Sequence, residues 1–255
     1  MRSLTFVVAV IWLLQHAAAV TIYLAGDSTM AKDSNPPKKQ GWGEYLKNYV
    51  SVPVVNKAIG GRSARSYTVE GRFDEIAKVV KPGDIVVIEF GHNDGGSLKN
   101  DNGRSGCPGE GNEVCQSTFN GKKVTVRTFP YYISTAGKKF TSLGATVIIS
   151  SQTPNNPWET NKFSAGPPRF VELAKKAAAQ VPGAEYIDHF AYAAQSYKAA
   201  GASATKAMFP VDHTHTNAKG AEFVAKTFVK AVLCGEGKLK PLVSIKSVDV
   251  AGQCI

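Results

Sequence analysis

Between residue 21 and about residue 233, short apolar runs alternate with stretches whose apolar residues recur at helical spacing. The runs at 21–25, 52–56, 84–90, 145–150 and 185–187 include several that are rich in Val and Ile and lack polar alternation, as expected of strands buried on both faces. Helical spacing falls at 43–50, 73–80, 131–142, 168–180 and 217–233, with Asn217 placed to cap the last stretch. This alternation predicts an α/β fold, doubly wound in three layers around a central five-stranded parallel sheet. Segments 91–123, rich in Gly and Asn, and 152–168, rich in Pro and Asn, fit neither period and read as long loops. Each leaves the carboxyl end of a predicted strand, the edge of an open parallel sheet where ligands bind.

The first nineteen residues read as a secretory leader. Arg2 supplies a positive start, 4–14 an almost unbroken apolar run too short to span a bilayer comfortably, and Ala17, Ala18 and Ala19 a small-residue cleavage site. Cleavage there leaves 20–255 as a single domain that is secreted, with no second apolar stretch of membrane-spanning length. The whole chain has 255 residues, 43% of them hydrophobic and 20% charged, which excludes a disordered protein and allows a full core. No internal repeat appears, so solenoids and coiled coils are excluded.

Lys+Arg 30 against Asp+Glu 20 gives a formal net charge of +10, one unit less once Arg2 is removed. By itself such a balance suits nucleic acid or a plain soluble surface. No nucleic-acid recognition motif accompanies it, and a secreted protein rarely meets nucleic acid. Secretion also lets thiols pair. Of the three connectivities open to Cys107, Cys115, Cys234 and Cys254, sequence proximity favours Cys107 with Cys115 and Cys234 with Cys254. Neither pair has metal-ligand spacing and no His lies close by in sequence, so no metal site is expected. No Asn-x-Ser/Thr sequon occurs, so N-glycosylation is not expected.

Chemistry concentrates in four places. Gly26-Asp27-Ser28-Thr29 follows the first predicted strand and puts a hydroxyl at its carboxyl end; alone, such a tripeptide is an ordinary turn. A nucleophilic serine needs a base, and Asp212-His213-Thr214-His215 precedes the last helix. An Asp three residues before a His can fold back to take its Nδ1 proton, leaving Nε2 to accept from a serine. His213 and His215, two residues apart, would point in opposite directions in an extended loop and so make a poor metal pair. Asn93, in Gly91-His92-Asn93-Asp94, ends another strand and can aim its amide at a developing oxyanion, while Gly60-Gly61 permits close approach of a backbone N–H. Taken singly, Gly60, Gly61 and Asn93 are also ordinary turn residues.

In order and spacing these blocks resemble the SGNH, or GDSL-type, hydrolases: Ser28 in Gly-Asp-Ser, Gly61, Asn93 in Gly-x-Asn-Asp and His215 in Asp-x-x-His. Runs 23–30, 41–43, 56–63 and 89–94 are similar in particular to the fungal rhamnogalacturonan acetylesterase branch, which the two cysteine couples also fit. The resemblance implies Ser28 as nucleophile, Asp212 and His215 as its partners, and an oxyanion hole made by the N–H groups of Ser28 and Gly61 and the Asn93 amide. It implies a flavodoxin-like sheet, no cofactor, and removal of acetyl groups from the rhamnogalacturonan backbone of pectin through an acetyl-serine intermediate. His92 and His213 have no role in the family and are taken as positioning residues.

Arg62 and Arg65 follow Gly61 at the active edge; with Lys99 and Arg104 in the disulfide-clipped excursion they are the expected contacts to substrate carboxylates. The lysine pairs, 38 and 39 among them, read as solvated faces. The expected partner is thus an acetylated acidic polysaccharide, met by a monomer, with no nucleic acid and no membrane involved. The competing readings are an esterase for acetylxylan or a lipid, and a non-catalytic polysaccharide binder using Trp42 and Trp158 as sugar platforms.

Overall fold

The structure is a computed structural model that describes residues 19–33 and 38–255. The expected leader therefore lies outside the described residues except for Ala19. Seven strands occur among the described residues: β1 (Ile22–Gly26), β2 (Val54–Asn56), β3 (Ile85–Glu89), β4 (Val114–Phe119), β5 (Lys122–Arg127), β6 (Thr146–Ser150) and β7 (Glu185–Ile187). Five form a parallel sheet in the order β2-β1-β3-β6-β7, while β4 and β5 pair apart from it as an antiparallel hairpin. Helices α1 (Ala64–Val69), α2 (Arg72–Ala77), α3 (Phe129–Ser142), α4 (Arg169–Ala179), α5 (His189–Met208) and α6 (Ala218–Cys234) complete the regular structure apart from short 3₁₀ turns.

Alternate strand residues explain the two covered faces. Tyr23, Ala25, Val86, Ile88, Val147 and Ile149 pack in one core with Tyr67, Phe73, Phe140 and Ala174 from α1 to α4. Ile22, Leu24, Ile85, Val87 and Ile148 pack in the other with Tyr197, Val224 and Phe228 from α5 and α6. Because both faces are apolar, the strands read as continuous hydrophobic runs. The register aligns Gly26 with Glu89 and Glu89 with Ser150, so the segments leaving β1, β3 and β6 emerge side by side.

One buried group ties this edge together. Glu89 accepts hydrogen bonds from Trp42 Nε1 (2.8 Å) and Ser150 Oγ (2.6 Å), and its Oε2 lies 2.8 Å from His189 Nδ1. The Nε2 of His189 meets the Val224 carbonyl at 3.1 Å, which links α5 to α6. Trp42 is 0% exposed, so it is a member of the core and not a sugar platform. Trp158 is half-buried, donating its indole N–H to the Tyr197 carbonyl (2.8 Å) and packing edge-on against Phe163.

Four parts of the chain depart from the sequence reading. The stretch 43–50 forms two 3₁₀ turns, Trp42–Glu44 and Leu46–Asn48, whose entry is pressed so closely on the Met30–Ala31 backbone that a Cβ on Gly41 or Gly43 would strike it. The excursion 91–123 is not all loop, since β4 and the start of β5 lie within it. Helices α1 and α5 were not foreseen. The first has only six residues and begins with a capping box between Ser63 and Ser66; the second is interrupted at Gly201, whose φ is 79°. No helix among the described residues is long and apolar enough to cross a membrane.

Candidate active site

The turn after β1 exposes a serine by burying its neighbours. A Cβ on Gly26 would lie 2.7 Å from Met30 Sδ and 2.8 Å from the Glu89 carbonyl, so the strand must end in glycine. Asp27 is buried, and its Oδ1 accepts from the Thr29 N–H (2.9 Å) and hydroxyl (2.8 Å), which closes the turn. Burial raises its pKa, partly countered by His92 and by the bonds from Thr29. Ser28, between them, remains partly accessible.

The loop before α6 brings His215 to Ser28. Asn217 caps that helix through its side-chain oxygen, which accepts from the Gly220 N–H (2.9 Å). Immediately upstream, Asp212 Oδ1 accepts from the backbone N–H groups of Thr214 (2.9 Å) and His215 (2.8 Å), folding the loop back on itself. His215 Nδ1 then lies 2.8 Å from Asp212 Oδ2, and His215 Nε2 lies 2.8 Å from Ser28 Oγ. An ionised carboxylate only accepts, so Asp212 accepts a hydrogen bond from Nδ1–H and Nε2 is left to accept from the serine hydroxyl. Burial works to raise the Asp212 pKa, but the His215 amide, its imidazole and the Thr214 amide together outweigh it and hold the group well below the usual carboxylate range. Lys39 Nζ stands 3.4 Å from Asp212 Oδ2, so this lysine belongs to the site and not to a solvated face.

Two turns border the serine. A Cβ on Gly60 would come within 3.7 Å of Ser28 Cβ, and Gly61 has a φ of 76°, where a side chain would be strained. Asn93 Nδ2 donates to the Arg62 carbonyl (3.2 Å), and Asn93 Oδ1 accepts from Arg104 Nη1 (3.3 Å). Asp94 anchors the same turn by accepting from the Ala64 N–H at 2.8 Å. Its carboxyl is pushed well above the usual range by burial, which with the Asp27 charge outweighs that bond.

The expected carboxylate contacts scatter. Arg65 is 4% exposed and forms a fork to Asp101 (2.8 and 2.9 Å) while donating to the Ser105 carbonyl (2.8 Å); it is a strut between α1 and the excursion and presents nothing to solvent. Arg62 is half-buried, paired with Glu70 at 3.1 Å, and donates to the Gly60 carbonyl at 3.0 Å. Lys99 is exposed on a 3₁₀ turn, Leu98–Asn100. His92 rests against Gln152 and Thr153, both 3.4 Å away, and exposed His213 faces Glu159 at 3.5 Å. Disulfides join Cys107 to Cys115 and Cys234 to Cys254. The Arg104 bond to Asn93 and the approach of Lys39 to Asp212 had no sequence signal beyond the presence of a basic residue.

A parallel sheet with hydroxyl, imidazole and carboxylate in line at its carboxyl edge is the arrangement of a serine hydrolase. Residues 22–228 match the family GDSL-like Lipase/Acylhydrolase, and the chain belongs to it. It is 55% identical over 243 residues, 95% of this chain and 96% of the relative, to a protein named rhamnogalacturonan acetylesterase from Emericella nidulans. Its fold is similar to that of the Bacillus subtilis protein YxiM, with a TM-score of 0.66 and 22% identity, covering 84% of this chain and 56% of that one. An acetylxylan esterase from Geobacillus stearothermophilus shares the fold at a TM-score of 0.54 and 15% identity, covering 83% of this chain and 93% of that one.

Proposed function

We propose that this chain is a secreted serine esterase that removes acetyl groups from the rhamnogalacturonan backbone of pectin. The observation that carries the reaction class is the line Asp212, His215, Ser28, with both imidazole contacts at 2.8 Å, beside the Gly60–Gly61 and Asn93 turns. The likeness to the Emericella nidulans enzyme supports the substrate. Secretion rests on the basic, apolar and small-residue pattern of 1–19.

Ser28 Oγ attacks the acetyl carbonyl carbon while His215 Nε2 takes the hydroxyl proton. The carbonyl oxygen becomes an oxyanion held by the Ser28 and Gly61 N–H groups and the Asn93 amide. When the tetrahedral adduct collapses, the bond to the sugar oxygen breaks and the imidazolium protonates that oxygen. Water, deprotonated by the same His215, then attacks the acetyl-serine and releases acetate, so protein groups and water carry every step. A cavity of about 290 Å³ opens at Ser28 and His215, bordered by Lys32, Lys39 and Asp33, and the excess of positive charge at this border suits a polymer carrying carboxylates.

The test is acetate release from acetylated rhamnogalacturonan, xylan and homogalacturonan side by side, with wild type and Ser28→Ala. Preference for rhamnogalacturonan and loss of release in the folded variant are expected. Preference for xylan would replace the substrate, and undiminished turnover in Ser28→Ala would overturn the mechanism.

A further inference from the structure

The Asn93 amide is held from both sides. Its carbonyl oxygen faces a guanidinium, which only donates, and its nitrogen faces the Arg62 carbonyl, which only accepts. Those two partners fix the sense of the amide and leave one N–H of Nδ2 unassigned for an oxyanion. A neutral hydroxyl or a second amide at position 104 could be met by the amide in either sense; a guanidinium cannot.

Arg104 has a second face. It borders a groove of about 510 Å³ between α1 and the β4–β5 hairpin that begins at Gly61 and is walled by Val69, Phe119 and Val124. That volume lies in the usual range for a small-molecule site. Three guanidinium groups line the groove, and two of them are already paired with carboxylates. Arg65 is forked to Asp101, and Arg62 is paired with Glu70, a carboxylate that also receives Arg72. Arg104 is half-buried and forms no ion pair with any described residue; its bond to Asn93 occupies Nη1 alone. A half-buried guanidinium with open N–H groups, in a groove continuous with the oxyanion turn, is a receptor for a planar carboxylate. The loop that carries it is itself clamped, because Arg65 grips Asp101 and Ser105 on either side of it.

We propose that Arg104 is a positioning and specificity residue: it binds a uronate carboxylate of the substrate in this groove and, through the same guanidinium, holds the Asn93 amide in the sense that receives the oxyanion. The proposal rests on the acidic-polysaccharide reading above and deepens it. A carboxylate docked on the open edge restrains the guanidinium that Asn93 leans on, so recognition of the acidic neighbour and stabilisation of the transition state share one side chain.

The experiment follows hydrolysis of the neutral ester 4-nitrophenyl acetate by the mature protein and its Arg104→Leu and Arg104→Lys variants. Each is measured with and without an unacetylated rhamnogalacturonan oligosaccharide, or its carboxyl-reduced counterpart, as inhibitor. For Arg104→Leu, kcat on the neutral ester falls several-fold with KM unchanged, and Arg104→Lys restores part of it. In wild type the acidic oligosaccharide inhibits roughly ten-fold better than the reduced one, the scale of one charge-assisted hydrogen-bonded contact; in Arg104→Leu that advantage disappears. Thermal unfolding of the variants, unchanged from wild type, separates this from a loss of fold. The proposal is overturned if Arg104→Leu keeps its kcat on the neutral ester, or if it keeps the preference for the acidic inhibitor. Failure of the pectin reading would appear elsewhere, as no acetate release from acetylated rhamnogalacturonan by wild type, while the inhibition ratio would still test Arg104.

Discussion

Replacing Asp212 by Asn changes almost no volume and so isolates the carboxylate's role. Its Oδ1 receives two backbone N–H groups, from Thr214 and His215, and lies 2.9 Å from His215 Nδ1, while Oδ2 faces the same Nδ1 at 2.8 Å and Lys39. In the variant the amide oxygen stays where the two backbone donors point, which sets the NH₂ at the 2.8 Å contact with Nδ1. An Nδ1–H would then oppose that NH₂ and share an oxygen already bonded twice, so Nδ1 is favoured as an acceptor, the imidazole proton moves to Nε2, and Nε2 offers Ser28 a hydrogen instead of removing one. The opposite amide sense would restore the correct tautomer, but it sets the NH₂ against two donors. At about 1–3 kcal/mol for each unsatisfied group, the productive sense costs roughly 2–6 kcal/mol, a loss of about 30-fold to 10⁴-fold at 1.36 kcal/mol per decade. Loss of the charge that stabilises the imidazolium moves the expected fall in kcat toward the upper end, about 10³ to 10⁴. The assay is kcat on 4-nitrophenyl acetate at saturating ester, with thermal unfolding as the check on folding. A fall of less than about ten-fold in a folded variant would refute the orienting role and with it the tautomer argument.

Asn93→Ala should lower kcat by about 10² to 10³ with a smaller change in KM, because its free N–H meets charge that exists only in the transition state; a pure KM effect in steady-state kinetics would reassign it to substrate binding. Removing Cys234–Cys254 by paired Ser substitution frees the tail that bonds back through Ser196 Oγ to the Ala251 carbonyl. For a separation of 20 the loss of stability should reach at most about 3 kcal/mol, read as a fall in Tm of up to about 12 °C with kcat unchanged. Asp94 supplies a pH test: because its folded pKa is raised, its contribution is full below the ordinary carboxylate value of about 3.9 and is lost as pH rises through the folded value. Denaturant titrations of wild type and Asp94→Asn from pH 4 upward should therefore show the variant gaining on wild type as pH rises, and a constant difference would contradict the raised pKa.

The centre of the sheet is legible because β1, β3 and β6 are buried on both faces and almost wholly apolar, and the serine and histidine turns are legible because each is a local backbone device. Asp212 and His215 are three residues apart, and Asp27 and Thr29 two, so the contacts that shape them are written within a few positions. What escaped depended on partners far away in the chain. Helix α1 has a mixed polar sequence and owes its place to Ala64 and Tyr67 in the core, together with the Asp94 bond to the Ala64 N–H. The hairpin β4–β5 buries only Ser117 and Val126, and its apolar alternation is confined to Val124 and Val126 in β5, too short to mark a strand inside a Gly- and Asn-rich stretch.

The arginines make the same point at the site. Arg62, Arg65 and Arg104 carry identical charge and lie near one another in the structure, yet each does something different. Arg65 meets Asp101 and Arg104 meets Asn93, at sequence separations of 36 and 11. A basic residue next to a catalytic motif therefore says that charge is present and not which way it faces. Burial decides that: a guanidinium taken into the interior must find a carboxylate and carbonyls to replace its water, as Arg65 does, and once it has them it has nothing left for substrate. A guanidinium left half in solvent keeps N–H groups to spare. Arg62 and Arg104 are both left half-buried, but of these three guanidinium groups only that of Arg104 also bonds the Asn93 amide, so in the proposal above the charge that recruits an acidic polymer and the hydrogen bond that readies the amide come from one residue.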